Sequence, residues 1–255
     1  MKIYVTGANG MLGKAVIMAA LQADYPVVPL NRARVDVTNL PQLCEALKHA
    51  DSADAVINCA GVREGGDKIE MGMVNGVVPH YLAILSERLH FRLIHISTDC
   101  VFSGWERNSP LMNAANAQPR PNSLYGRMKL AGEPTGKNVV VVRTSFIGTD
   151  HGLWHWVANH EPGHIVGWRE AWWSGSTVAA VAELLVRMAT DPKQQPPIVH
   201  AATTRPTTKA KVVCHLISYL GRNDLLFVED GTRVDRSLLP THGYVLPSLE
   251  EALPL

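Results

Sequence analysis

The chain has 255 residues, with 24 Lys and Arg against 23 Asp and Glu. The resulting net charge of +1 excludes a general electrostatic attraction to nucleic acid or to anionic lipid. Its apolar stretches are far shorter than the ~20 residues of a membrane-spanning helix, and its opening, MKIYVTGANG, lacks the pattern of a signal peptide. None of the four cysteines forms a C-x-x-C pair, which indicates free thiols in a reducing compartment. We therefore expect a cytoplasmic α/β protein with neither a membrane nor a nucleic-acid partner.

Strand and helix signals alternate along the first half of the chain. Runs rich in β-formers predict strands at 2–6, 25–30, 55–59, 92–96 and 138–142. Apolar positions at helical spacing predict helices at 11–23, 41–49, 77–89 and from 123 onward. This alternation is typical of βαβ units, so we predict a Rossmann-like, doubly wound parallel sheet over residues 1–146.

After Arg143 the composition changes. Residues 151–176 hold five of the six tryptophans and several His and Gly. The Gly and Pro near His151, His155, His160 and His164 favour a loop there, with no fixed face for metal ligands. Helices are predicted at 178–189 and 209–220, with short strands at 198–202 and 225–229. We expect residues 147–255 to form a smaller α/β substrate-binding region, some segments of which return to the first.

Three glycines punctuate the turn between the first strand and the first helix. Gly7, Gly10 and Gly13 follow the spacing G-x-x-G-x-x-G. Glycines there permit a tight turn, close approach of the backbone to a pyrophosphate, and close packing of helix and strand. The helix N-terminus would present free N–H groups to the phosphates. The pattern predicts a dinucleotide site, with an ordinary βα turn as the alternative.

The end of the second predicted strand bears on the choice of cofactor. A site for NAD usually has Asp or Glu there, whereas this chain reads LNRAR and its first acid is Asp36. Arg32 can pair with a 2′-phosphate, which favours NADP(H) over NAD(H). The alternative is that Arg32 and Arg34 are solvated loop charges. Asp36 and Val37 are predicted to flank the adenine.

Tyr125 and Lys129 are four residues apart on a predicted helix, so they share one face. A phenol has a pKa near 10, and a neighbouring ammonium, together with the positive nicotinamide of an oxidised cofactor, is expected to lower that pKa and make the phenol a tunable proton donor. Ser97 and Thr98 directly follow the fourth strand, at the sheet edge where ligands of α/β folds bind. A hydroxyl there can hydrogen-bond a substrate carbonyl.

Taken together, the motifs resemble the extended short-chain dehydrogenase/reductases, and among them the dTDP-4-dehydrorhamnose reductase-like branch. The matching segments occur in order over residues 1 to about 148: TGANGMLG, DVTN, VINCAG, Asn75 of MVNGVVP, HISTDCVFSG, YGRMKLAGE and VVRTSFIG. The resemblance implies hydride transfer from a nicotinamide cofactor to the C4 ketone of a nucleotide-linked 4-keto-6-deoxy sugar. In that reaction Tyr125 protonates the alkoxide, Lys129 binds the nicotinamide ribose, and Thr98 polarises the carbonyl.

The motifs and the resemblance together give a candidate site, whose catalytic residues are Thr98, Tyr125 and Lys129. The cofactor positions are Gly7, Asn9, Gly10, Met11, Leu12, Gly13, Asn31, Arg32, Asp36, Val37, Cys59, Ala60, Gly61, Asn75, Ser97, Tyr125, Lys129, Thr144 and Ser145. The substrate positions are Val62, Thr98, Cys100, Phe146 and Trp173. No metal is expected, and a homodimer is common in the resembled group.

Several features leave alternatives open. Cys100 stands where the branch usually has a tyrosine, and we interpret it as a small buried residue rather than a reactive thiol. The tryptophans at 154, 156, 168, 172 and 173 form either a platform for a base or sugar, or packing between the two halves or between subunits. On extended backbone only one of Trp172 and Trp173 can face a pocket. A non-catalytic, NADP-binding regulatory subunit and a nucleotide-sugar epimerase are the alternative functions.

Overall fold

The computed structural model describes residues 1–104 and 117–255. Its strands are β1 (Ile3–Thr6), β2 (Val27–Leu30), β3 (Ala55–Asn58), β4 (Arg92–Thr98), β5 (Val139–Thr144), β6 (Phe146–Ile147), β7 (Gly163–Trp173), β8 (Ser176–Thr177), β9 (Ile198–Ala201), β10 (Thr207–Thr208) and β11 (Leu225–Asp235). Its α-helices are α1 (Met11–Gln22), α2 (Leu40–Leu47), α3 (Lys68–Met71), α4 (Val78–Leu89), α5 (Leu124–Ala131), α6 (Leu153–Ala158), α7 (Val178–Thr190), α8 (Lys209–Tyr219) and α9 (Leu249–Ala252). A π-helix, Gly72–Val77, leads into α4, and a 3-10 turn, Asp99–Val101, follows β4.

A parallel six-stranded sheet in the order β2-β1-β3-β4-β5-β9 organises the molecule. The strands are buried on both faces because their apolar residues alternate between two clusters. Ile3 and Val5 face α1 and α7, whereas Tyr4 and Val56 face α2 and α4. The predicted Rossmann-like fold is thus confirmed, and the carboxyl ends of its strands meet at one edge, where α/β folds bind ligands.

A second sheet, in the order β10-β7-β11, follows the first along the chain. The loop predicted around His151, His155, His160 and His164 is wrong, because α6 and the start of the eleven-residue strand β7 lie there. β7 forms in spite of Gly163 and Gly167 because it pairs along its length with β11 and because its buried residues, such as Ile165, pack in one core with α8 residues such as Val213. β11 likewise runs to Asp235, beyond the predicted end at 229.

Two segments of the second half pack with the first. β9 is the edge strand of the six-stranded sheet, in register with β5, and α7 shares a core cluster with α1. The division of the chain at residue 146 stays a prediction. Over the described residues, the structure contains no helix that is long and apolar enough to cross a membrane.

Candidate functional site

The glycine turn is held by backbone contacts that leave no room for side chains. Gly7 has a φ of +63°, and a Cβ on it would lie 2.7 Å from the backbone nitrogen of Ala60. A Cβ on Gly13 would lie 2.2 Å from the carbonyl oxygen of Gly7. The turn therefore packs against both α1 and the loop after β3. In the part of the chain that the structure describes, no side chain caps the start of α1, so its N–H groups are available to an anion.

A first cavity, of 220 Å³, opens beside this turn, between the ends of β1, β2 and β3. Arg32 and Glu70 line it and form an ion pair, with 2.8 Å between Nη1 and Oε1. Asp36 and Val37 line the same cavity. Thr38 hydrogen-bonds the Asp36 carboxylate and thereby lowers the pKa of that group. Asn31 instead shapes the turn, since its side chain accepts a hydrogen bond from the backbone of Arg34.

A second cavity, of 660 Å³, forms the central cleft and contains the predicted catalytic residues. It shares Asn9, Gly10 and residues 59–62 with the first cavity, so the two are continuous. The predicted residues that line it are Asn9, Gly10, Met11, Leu12, Cys59, Ala60, Gly61, Val62, Ser97, Thr98, Cys100, Tyr125, Lys129, Thr144, Ser145 and Phe146.

The start of α5 brings Tyr125 next to Thr98. Ser123 caps the helix by accepting a hydrogen bond from the backbone of Gly126. A Cβ on Gly126 would lie 2.3 Å from the carbonyl oxygen of Cys100, so α5 sits directly against the turn that follows β4. The two hydroxyl-bearing residues therefore face the same cleft.

The protonation state of Tyr125 differs from the sequence expectation. Burial raises the pKa of the phenol, the neighbouring Cys100 and Asp99 raise it further, and a hydrogen bond with Thr98 opposes the shift. Lys129 is not among the groups that shift this pKa, and its ammonium donates to the carbonyl oxygen of Ile96 at 2.5 Å. Tyr125 is consequently a neutral phenol at neutral pH.

Lys129 is a buried amine, with only 5% of its surface exposed. Burial lowers its pKa to about 8, and the nearby carboxylate of Glu133 acts in the opposite direction. The site therefore holds a lysine whose charge changes close to neutral pH.

Glu133 joins a buried ion pair that sequence reasoning missed. Its carboxylate receives two hydrogen bonds from Arg143, at 2.9 and 2.7 Å, and the two side chains are 7% and 3% exposed. Ser97 donates to the same carboxylate at 2.6 Å, so its hydroxyl is used to position this pair. The Y-x-x-x-K-x-x-x-E spacing was visible, but α5 ends at Ala131, so helical periodicity gave no reason to group Glu133 with the site.

Asn75 holds the loop after β3 in place through hydrogen bonds to its backbone. It is fully buried in the π-helix, and its side chain both accepts from the nitrogen of Val62 and donates to its oxygen, each at 2.8 Å. Asn75 therefore positions residues that line the cavities.

A third cavity, of 310 Å³, lies between the strand ends and the second sheet. It shares Asp99, Cys100, Ser145 and Phe146 with the central cleft. Its far wall consists of Trp168, Trp172, Trp173, Lys209, Val234 and Arg236.

Both Trp172 and Trp173 line this third cavity, at the end of β7. The indole N–H of Trp173 donates to the hydroxyl of Ser145 at 2.7 Å. Trp154 and Trp156 instead pack in the core beneath the second sheet, so the five tryptophans divide between packing and pocket.

Arg236 connects the third cavity to the turn after β4. Its guanidinium lies 3.6 Å from the sulfur of Cys100 and donates to Asn122 at 3.3 Å, while its Nε is buried with no partner in the described residues. Burial raises the pKa of Cys100 to about 12, so this thiol stays protonated and is not a reactive nucleophile. Sequence reasoning missed Lys209 and Arg236, because nothing local marks two cations that only the second sheet brings together.

The histidines of the tryptophan-rich segment do not converge. His151 lines the central cleft, whereas the side chain of His155, on α6, forms a hydrogen bond with the side chain of Asn159, directly after that helix. Within residues 1–104 and 117–255, no group of three or more His, Cys, Asp or Glu side chains is arranged to hold a metal ion.

Comparison with known proteins agrees with this geometry. The family model described as RmlD substrate binding domain matches residues 1–221. A dTDP-4-keto-6-deoxy-D-glucose reductase from Streptomyces niveus is 32% identical over 159 residues, which are 58% of this chain and 54% of that protein. A dTDP-4-dehydrorhamnose reductase from Mycolicibacterium smegmatis is 33% identical over 154 residues, 57% of this chain and 46% of that protein. The chain thus spans about half the length of these curated relatives.

Two solved structures are similar over nearly the whole chain. A dTDP-4-dehydrorhamnose reductase from Bacillus anthracis in complex with NADP is 22% identical, with a TM-score of 0.82 and coverage of 99% of this chain and 96% of that one. A Clostridium acetobutylicum dTDP-4-dehydrorhamnose reductase is 20% identical, with a TM-score of 0.85 and coverage of 99% and 97%. At these identities the likeness establishes the fold. The family model covers most of the chain, and the protein therefore belongs to the family described as the RmlD substrate binding domain.

Proposed function

We propose that the protein is a reductase that uses NADPH in preference to NADH and acts on a nucleotide-linked 4-keto-6-deoxy sugar. The observation that carries the proposal is the continuity of the three cavities: the glycine-turn cavity leads into the cleft with Thr98 and Tyr125, and that cleft leads into the cavity with the tryptophans and Arg236. The names of the matched relatives support the same substrate class.

The residues present fit a dinucleotide at the first cavity. Gly7 and Gly13 leave a cradle that a Cβ would fill, and the uncapped N-terminus of α1 borders it. Arg32 at the rim suits a 2′-phosphate, since a guanidinium binds phosphate oxygens in a planar fork. A bound nicotinamide would supply a hydride.

The protein's own residues would supply the proton. When the ketone carbon accepts a hydride, its oxygen becomes an alkoxide and needs a proton. Tyr125 holds that proton, because burial raises the pKa of the phenol. Thr98 lies beside it and can donate to the same oxygen, and the ammonium of Lys129 lies behind them at the base of the cleft. A neutral phenol suits ketone reduction better than alcohol oxidation, which needs a base.

The third cavity suits the nucleotide portion of the substrate. The aromatic faces of Trp168 and Trp172 can stack against a base or a sugar face. Lys209 and Arg236 carry the positive charge that a diphosphate requires, and the buried Nε of Arg236 is free to donate.

A panel of nucleotide-linked 4-keto-6-deoxy sugars, assayed for consumption of NADPH and of NADH, tests the proposal. We expect turnover with at least one member of the panel and faster turnover with NADPH. Cofactor binding without turnover on any member would favour the non-catalytic subunit instead. Failure to bind either cofactor at high micromolar concentration would defeat the proposal as a whole.

A further inference from the structure

The arginine proposed for the 2′-phosphate is already paired in the structure. Nη1 of Arg32 lies 2.8 Å from Oε1 of Glu70, and both residues line the first cavity. They come from different elements, Arg32 from the end of β2 and Glu70 from α3. Asp67 caps α3 by accepting a hydrogen bond from the nitrogen of Glu70 at 2.8 Å, which fixes the backbone that carries this carboxylate. The pair thus closes the rim of the cavity from two sides.

The exposure of this pair argues against a role in stability. The side chains of Arg32 and Glu70 are 72% and 32% exposed, and ion pairs so open to solvent contribute little to folding. Their position in a candidate binding cavity points to a role in recognition instead.

A 2′-phosphate and Glu70 would compete for the same guanidinium. The carboxylate occupies one donor of the fork, and its negative charge repels a phosphate dianion brought to the remaining donors. A ribose 2′-hydroxyl is neutral, is not repelled, and can donate to the carboxylate. Glu70 would therefore do from α3 what an acid at the end of β2 does in sites for NAD.

The other acid of this cavity is less able to play that part. Oδ1 of Asp36 accepts from both the nitrogen and the hydroxyl of Thr38, at 3.0 and 2.8 Å. This carboxylate is held by its own turn, whereas that of Glu70 contacts Arg32 directly.

We infer that Glu70 sets the cofactor preference by competing with the 2′-phosphate for Arg32, so that NADH is accepted alongside NADPH. This inference rests on the dinucleotide site proposed above.

The inference is tested by measuring the binding of NADPH and of NADH to the Glu70→Gln variant, with cofactor fluorescence as the readout. Loss of one opposing charge at a phosphate contact is expected to tighten the binding of NADPH by about fivefold and to weaken the binding of NADH by about twofold. The ratio of the two dissociation constants should therefore change by about tenfold. A ratio within twofold of the unmodified chain would overturn the inference, as would weaker binding of NADPH.

Two further variants separate the possible causes. Glu45 forms an exposed ion pair with Lys48 at 2.5 Å on α2, outside the cavity, so Glu45→Gln makes the same change in net charge and should leave both constants unchanged. In the double variant Arg32→Ala with Glu70→Gln, the gain in NADPH binding should disappear, and a gain that persists would contradict competition for Arg32. If the unmodified chain binds neither cofactor, the proposed dinucleotide site fails, which is a different outcome.

Discussion

The proposed cofactor side and the proposed substrate side of the cleft are built in different ways. On the cofactor side the contacts are between backbone atoms. Glycines allow these close contacts, and the ends of parallel strands converge at one edge of the sheet. On the substrate side, side chains from β7, the start of α8 and the end of β11 converge on one cavity. The first design depends on a few residue types at fixed spacing, whereas the second depends on how a whole small sheet is placed. Substitutions on one side should therefore change either cofactor binding or substrate binding, and not both.

The largest expected effect is that of Tyr125→Phe, which lies where the two sides meet. Removing the phenolic proton donor should reduce turnover by about 100-fold or more, because general acid catalysis contributes about that much. NADPH affinity should stay within about twofold of the unmodified chain, because the ring is retained. Steady-state rates and a cofactor titration check both parts, and retained turnover would remove Tyr125 from the mechanism.

The next effect concerns the glycine turn alone. Gly13→Ala places a Cβ 2.2 Å from a backbone oxygen and should lower the free energy of unfolding by about 1–3 kcal/mol, with loss of NADPH binding. Gly72→Ala is the matched control, because a Cβ there would meet no neighbouring heavy atom within 4 Å and the backbone is helical. Urea unfolding and NADPH titration of both variants test this. Equal behaviour of the two would mean that the turn is not tightly packed.

A change confined to the substrate side should spare the cofactor. Arg236→Ala is expected to raise the KM for the nucleotide sugar about 10- to 100-fold, because it removes a cation from the third cavity, and to leave NADPH affinity unchanged. Arg233→Ala serves as the control, because Arg233 is an exposed arginine near the end of β11, shortly before Arg236. A KM that moves equally in both variants would show that Arg236 has no special part in substrate binding.

The last effect concerns stability alone and is its dependence on pH through Lys129. The pKa of this lysine is about 8 in the folded chain and about 10.5 in an unfolded one, so folding releases a proton between those values. The free energy of unfolding should therefore rise with pH across that window, by up to ~3 kcal/mol from this group. Lys129→Met should lack the rise and be more stable at pH 7. The free energy of unfolding of both proteins is measured at pH 7 and at pH 10. The same difference between the two proteins at both pH values would contradict this.

The sequence could predict the cofactor side because local patterns determine it. Short apolar runs between helices of known spacing define the parallel sheet, and Gly7, Gly10 and Gly13 mark its binding turn. Strand β7 was missed because Pro162 and Gly163 at its start resemble a loop until its pairing with β11 is known. Glu70, Glu133 and Arg236 were missed because their partners Arg32, Arg143 and Cys100 come close only in the folded chain.

Transfer of deuterium from NADPH that carries deuterium at both hydrogens of the nicotinamide C4 to the nucleotide-linked 4-keto-6-deoxy sugar tests the central claim most directly. The account predicts one deuterium on the sugar C4, with one NADP⁺ formed for each product molecule. Product without deuterium at C4, or conversion without net oxidation of NADPH, would contradict it.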